Sequence, residues 1–136
     1  MKLLLDTSIL YSALVHRKTI GKILDLLIEK HRIVLTDYIV EEMKRNINKK
    51  VSIGRKETIL ENWRTFVSLC EVKYKEEYLE FIGFAKELIS GKDAPILACA
   101  MLPDIDCLVT SDKEFLRIDA PEVNILSAKD AVKQLI

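Results

Sequence analysis

Apolar residues along this chain come in short unbroken runs, at 3–5, 33–35, 108–110 and 123–126, with 67–72 as a weaker fifth. Continuous apolarity marks strands covered on both faces, as in parallel sheets, whereas half-exposed strands alternate. Between the runs the apolar residues recur at helical spacing, which predicts helices at 9–15, 20–30, 38–49, 57–66, 76–89 and 95–101 and a last one from Ala128. Parallel strands need such helical crossovers, so the alternation predicts a three-layer α/β/α fold around a mostly parallel sheet. The 136 residues suit a single domain over 1–136 with one core. The helix-rich stretch 54–90 is expected to project as an arm or clamp.

Composition narrows the class. A 49% hydrophobic content supplies a globular interior, and with 31% charged residues no apolar stretch approaches a membrane span. The opening MKLLLDTS reads as a strand too short for the apolar core of a signal peptide, so a cytoplasmic protein is expected. Cys70, Cys99 and Cys107 are widely spaced with no CxxC pair, and His16 and His31 are isolated. Zinc, a disulfide framework and a Ser, Cys or His nucleophile therefore find no support. Net charge is zero, but between Lys44 and Lys56 every charged side chain is basic. That stretch, with Lys49, Lys50 and Arg55, offers phosphate contacts, against the plainer account of cations placed at a helix C-terminus.

Four acids stand out against this frame: Asp6 after the first apolar run, Glu42 inside a helix, Asp93 in GKDAP and Asp112 after CLVTS. Open α/β sheets bind ligands at the carboxyl ends of their strands. Carboxylates gathered there repel one another, and at least one pKa should rise. No histidine or lysine is matched to each acid, so a hard divalent cation is the simplest counter-charge.

Each acid also has a plain structural explanation. Asp6 can cap the helix that follows it, and Asp93 before Ala94 and Pro95 is an ordinary helix start. In TSDKEF, Ser111 and Glu114 have capping-box spacing, which makes Ser111 the cap and leaves Asp112 free. At about 100° per residue, Ile39, Val40, Met43 and Ile47 define an apolar face, and Glu42 lies nearer its border than Glu41. Glu42 is thus the candidate ligand, Asn46 one turn on is a supporting polar group, and Glu41 points to solvent. Thr110 and Ser111 offer hydroxyls to a phosphate or to a bound water.

The ordered series LLLDTSIL, IVEEM, GKDAPILACA and LVTSDKEFL resembles the PIN-domain nucleases, including the small VapC-type toxin ribonucleases, over nearly the whole chain. Carried over residue by residue, that family's acids fall on Asp6, Glu42, Asp93 and Asp112. A further acid common after the T-x-D turn has no match, since Asp119 is offset. The resemblance implies a PIN-like fold and Mg²⁺- or Mn²⁺-dependent hydrolysis of RNA phosphodiester bonds, with a possible antitoxin protein and homodimer. It implies Asp6 and Asp112 as direct metal ligands, Asp93 as a direct or water-mediated one, and Glu42 as the residue that orients or deprotonates the attacking water.

Other readings compete. A haloacid-dehalogenase-like phosphohydrolase needs a second Asp two residues after the first, where this chain has Ser8. A receiver-like phosphoacceptor wants an adjacent acidic pair and a late strand-end lysine, which Lys113 fits poorly. A non-catalytic RNA- or protein-binding module on the same fold is the alternative from another class.

Overall fold

The computed structural model describes residues 1–136. Five strands, β1 (Lys2–Leu5), β2 (Arg32–Thr36), β3 (Glu71–Lys73), β4 (Cys107–Val109) and β5 (Ile125–Leu126), form one sheet in the order β3-β2-β1-β4-β5. Every neighbouring pair is parallel. In β1, β2 and β4, successive residues are buried, so the sheet is covered on both faces. Leu3, Leu4 and Leu5 are fully enclosed, each side chain contributing about 1.5–3 kcal/mol by leaving water.

Eight helices connect and flank the strands: α1 (Thr7–Tyr11, continuing as a π-helical turn over Ser12–His16), α2 (Lys18–Lys30), α3 (Asp37–Lys50), α4 (Ile53–Ser68), α5 (Lys75–Lys86), α6 (Ala94–Ala100), α7 (Lys113–Leu116) and α8 (Ala128–Leu135). Helix α3 shows why they start and stop where they do. Thr36 ends β2 and caps α3 by accepting from the Ile39 amide at 2.9 Å, Asp37 sits in the positive first turn, and Lys49 and Lys50 sit in the negative last turn. Its buried stripe is Ile39, Met43 and Ile47.

The all-parallel sheet agrees with the pattern of apolar runs, and some boundaries move. The expected strand at 67–72 begins only at Glu71, because Val67 and Ser68 complete α4. The last strand shrinks to Ile125–Leu126, and β4 stops at Val109, so Thr110 lies just past its end. Residues 54–90 are not a projecting arm: they contain β3, hydrogen-bonded to β2, and they bury Trp63, Phe66, Tyr78 and Ala85 in the common core. An amphipathic helical stretch reads alike whether it projects or packs, and the short edge strand hidden inside it decides the matter. Cys99 and Cys107 are buried free thiols and Cys70 is half-buried. Burial pushes their pKa values up to about 12, 11 and 12 respectively, so none is a ready nucleophile. No helix is long and apolar enough to cross a membrane.

Strand order fixes where chemistry can collect. From β1 the chain moves to β2 and β3 on one side, then returns to β4 and β5 on the other. The sheet therefore reverses between β1 and β4, and a crevice opens at their carboxyl ends.

Candidate active site

Asp6, Glu42, Asp93 and Asp112, the four acids singled out in the sequence, line one crevice of about 340 Å³ at that reversal. Asp6 follows β1, and its amide donates to the Val109 carbonyl at the end of β4 at 3.1 Å, which pins the crevice floor. Glu42 projects from α3, Asp93 precedes α6, and Asp112 precedes α7.

Capping accounts for fewer of these acids than their local sequence allows. Asp6 and Asp93 occupy N-cap positions, yet neither side chain makes a capping hydrogen bond. The reverse holds for Asp112. The expected Ser111 cap does not form; Asp112 is itself the cap, its Oδ1 accepting from the Glu114 amide at 2.9 Å. The chain turns into α7 one residue later than capping-box spacing suggests, because Thr110 Oγ1 accepts the Asp112 amide at 3.0 Å and holds it extended.

Hydroxyls brace the acids. Asp6, only 5% exposed, has Oδ2 held by Thr110 Oγ1 at 2.6 Å and Ser8 Oγ at 3.0 Å. Glu42 accepts from Thr7 Oγ1 on one oxygen and from the Tyr38 hydroxyl, at 3.2 Å, on the other. Both Glu42 oxygens are thus oriented. Glu41, by contrast, is exposed and pairs loosely with Lys44 at 3.5 Å. The half-buried Asn46 lies one turn beyond Glu42 in the crevice wall.

The electrostatics are those of acids held without direct ion pairs. None of the four acids takes part in an ion pair. Burial, followed by the charges of Asp112 and Asp6, pushes Asp93 up to about 6. Burial also raises Asp6, against the lowering effect of its hydroxyl donors, and Asp112 adds to the rise.

The expected substrate-contact residues divide. Ser111 and Lys50 line the crevice, with Lys50 Nζ 5.5 Å from the centre of the Tyr11 ring. Thr110 is fully buried and committed to Asp6 and Asp112, so it positions acids and cannot meet a substrate. Lys49 and Arg55 are absent from the crevice wall, and Arg55 is turned toward the Val15 carbonyl at 2.9 Å. A helix presents each successive residue about 100° further round, so a run of basic residues cannot face one site together.

Three bracing residues escaped the sequence reading. Thr7 and Ser8 follow Asp6 in the first turn of α1, and Tyr38 lies four residues before Glu42, the spacing that puts two side chains on one helix face. Lys92, beside Asp93, is a second crevice-lining cation. The i, i+4 relation was the one usable signal among these.

The donor set suits a hard divalent cation: carboxylate oxygens, with hydroxyls behind them and no thiol or imidazole. No group of three or more acid, histidine or cysteine side chains stands already gathered to hold an ion. An ion entering the crevice has to draw mutually repelling carboxylates inward or complete its shell with water, as Mg²⁺ commonly does.

An acid-lined crevice at the reversal of a parallel sheet is a site that several classes of α/β fold share. A model of the PIN-domain family matches residues 3–121, and the chain belongs to that family. No curated protein matches it. Among solved structures it resembles VapBC2 from Rickettsia felis bound to a DNA fragment from its promoter, with a TM-score of 0.72 and 22% identity over 93% of this chain and 98% of that one. It is similar to DNA-bound VapBC from Salmonella typhimurium, with a TM-score of 0.71 and 21% identity over 94% and 98%. It is also similar to FitAcB from Neisseria gonorrhoeae, with a TM-score of 0.71 and 18% identity over 93% and 98%.

Proposed function

We propose that this protein, as one PIN domain over residues 1–136, is a divalent-metal-dependent endoribonuclease and the toxin of a toxin–antitoxin pair acting in the cytoplasm. Membership of a nuclease family supports the reaction class. The observation that carries the metal dependence is the set of four unpaired carboxylates at the β1/β4 reversal, with Asp93 raised to about 6 by burial and by Asp112 and Asp6. The toxin assignment draws on the VapBC and FitAcB complexes that the fold resembles. A short antitoxin protein is the partner this reading calls for, and a homodimer is compatible with it.

Asp6 and Asp112 would hold Mg²⁺ or Mn²⁺, with Asp93 binding directly or through water. A bound divalent cation supplies a water acidic enough to attack phosphorus at neutral pH and offsets charge on the departing oxygen. Glu42, its two oxygens fixed by Thr7 and Tyr38, orients the attacking water. Thr110 keeps Asp6 and Asp112 in register, and Lys50 and Lys92 offset phosphate charge at the crevice walls.

Purified protein is expected to cleave single-stranded RNA with Mg²⁺ or Mn²⁺ and to stop in EDTA. Asp6→Asn or Asp112→Asn should lower the rate at least about a hundredfold with the fold intact, because a metal's charge stabilisation is worth several kcal/mol. Cleavage that survives EDTA and the double substitution overturns this reading.

A further inference from the structure

A second concavity of about 320 Å³ adjoins the acid crevice on the β2 and β3 side. The two share elements: consecutive residues of α3, Glu41 and Glu42, line the pocket and the crevice respectively, and at the start of α6 Pro95 lines the pocket while Asp93 lines the crevice. Tyr38 joins them, being a pocket wall whose hydroxyl donates to Glu42 in the crevice at 3.2 Å. A chain laid across the carboxyl ends of the strands meets both.

Their chemistry differs. The crevice is acidic and polar, whereas the pocket has Tyr38, Ile82 and Pro95 as flat or apolar walls. Tyr78 closes it, buried and donating its hydroxyl to Asp37. Asp37 is fully engaged, since it also accepts the Tyr38 amide at 2.9 Å and the Lys75 amide at 3.1 Å. What the rim offers is one acceptor, the exposed Glu41 carboxylate with only its loose 3.5 Å pairing to Lys44, and one cation, Lys75, which is in no ion pair.

We infer that this pocket receives an unpaired nucleobase of the RNA strand whose phosphate lies in the acid crevice, an inference that rests on the ribonuclease reading above. An aromatic wall, apolar Ile82 and Pro95 in the same lining and a volume at the small end of ligand sites suit one planar base. Splayed bases of single-stranded RNA stack on aromatic side chains in this way, whereas bases in a duplex cannot leave their stack without cost. Glu41 accepts from a base amino or imino group, and Lys75 meets a neighbouring phosphate. The pocket thereby makes the enzyme selective for single strands.

The test uses the full-length Asp112→Asn protein, in which cleavage is suppressed, with a fluorescein-labelled single-stranded RNA octamer and its blunt duplex in Mg²⁺, read by anisotropy. Tyr38→Ala should weaken single-strand binding about tenfold, the low end of base–aromatic stacking. Tyr38→Phe keeps the ring and should retain binding within about twofold of its parent by the same reasoning. Ile82→Trp fills the pocket without removing an existing wall, so it should match Tyr38→Ala and serves if that variant fails to fold. Duplex binding should be unchanged throughout. Single-strand affinity unmoved by both Tyr38→Ala and Ile82→Trp overturns the pocket alone, provided the unaltered protein cleaves RNA. An Asp112→Asn parent that binds no RNA, together with an inert unaltered protein, overturns the ribonuclease reading and the pocket with it.

Discussion

Around Lys2 at the start of β1, acids and bases are matched; where β1 and β4 end, they are not. Lys2, which opens β1, lies 3.0 Å from Glu71 and 3.1 Å from Asp104. Lys73 reaches the same two acids at 3.1 and 2.8 Å. Hydrogen bonds from these lysines hold the Glu71 and Asp104 carboxyls below their ordinary values. At the opposite end burial and like charge raise Asp6 and Asp93, and no lysine pairs with them. The same residue type therefore stabilises the fold at one end and strains it at the other. A protein that can pair its carboxylates, and does so at one end, leaves at the other a demand for positive charge that an outside cation can meet.

The contrast is tested hardest by adding that cation. Mg²⁺ or Mn²⁺ at about a hundred times its dissociation constant should raise the unfolding free energy by about 2.7 kcal/mol at pH 7.5. Asp6→Asn with Asp112→Asn should abolish the rise, whereas altering the paired end should not. Thermal or urea unfolding with and without cation measures both, and an equal rise in the double variant would show that the ion binds elsewhere.

Next in size is Lys73→Met, which keeps the apolar stem but removes the ammonium, whose side chain is only 12% exposed. A loss of about 2 kcal/mol is expected, between the values for surface and buried pairs. The sign with pH follows from the lowered Glu71 and Asp104 values. Their contribution is present above the ordinary carboxylate range and is lost as pH falls through the folded-state values, so the cost of the substitution should shrink in acid. RNA cleavage should be unaffected. A cost independent of pH would mean that packing, and not pairing, holds this end together.

Thr110→Val comes third. It removes the hydroxyl that donates to Asp6 and accepts from the Asp112 amide, at about 1–2 kcal/mol for groups left unsatisfied inside. Because Thr110 is buried, its effect on the site should appear as weaker cation binding, by calorimetry, and not as weaker RNA binding. Unchanged cation affinity would reduce Thr110 to a packing residue.

How much of this was legible beforehand depends on the range of the interaction concerned. The unbroken runs at 3–5 and 33–35 foretold buried parallel strands because burial on both faces leaves a local mark. The Glu42 and Glu41 choice was legible for a similar reason, since helix geometry ties neighbouring residues to different faces. The strand at Glu71–Lys73 was blurred: its three residues are all half-buried and its partner β2 is more than thirty residues away. The Thr110 bridge between Asp6 and Asp112 was likewise invisible, because it spans 104 residues to Asp6 and depends on β1 and β4 being neighbours. The gathering of the acids was expected both from the strand-end rule and from the family resemblance, and Asp6, Glu42, Asp93 and Asp112 line one crevice.

The smallest expected effect separates the two ends most cleanly. Asp93 has a folded-state value of about 6 against an ordinary 3.8, so the folded protein holds this proton more tightly than the unfolded chain does. Ionisation then opposes folding: without cation, stability falls as pH rises from about 4 through about 6, the reverse of Glu71 and Asp104. Asp93→Asn cannot ionise, so it should gain nothing near pH 4 and about 1 kcal/mol at pH 7.5, a figure reduced because the group is partly open to screening solvent. With Mg²⁺ or Mn²⁺ present the order should invert, since the amide binds a hard cation poorly and the carboxylate becomes the stabilising choice. Unfolding curves at pH 4 and pH 7.5, each with and without cation, give the four values needed. An Asn variant less stable than the parent at pH 7.5 in EDTA would place Asp93 with the paired acids and remove the electrostatic case for a cation at the crevice.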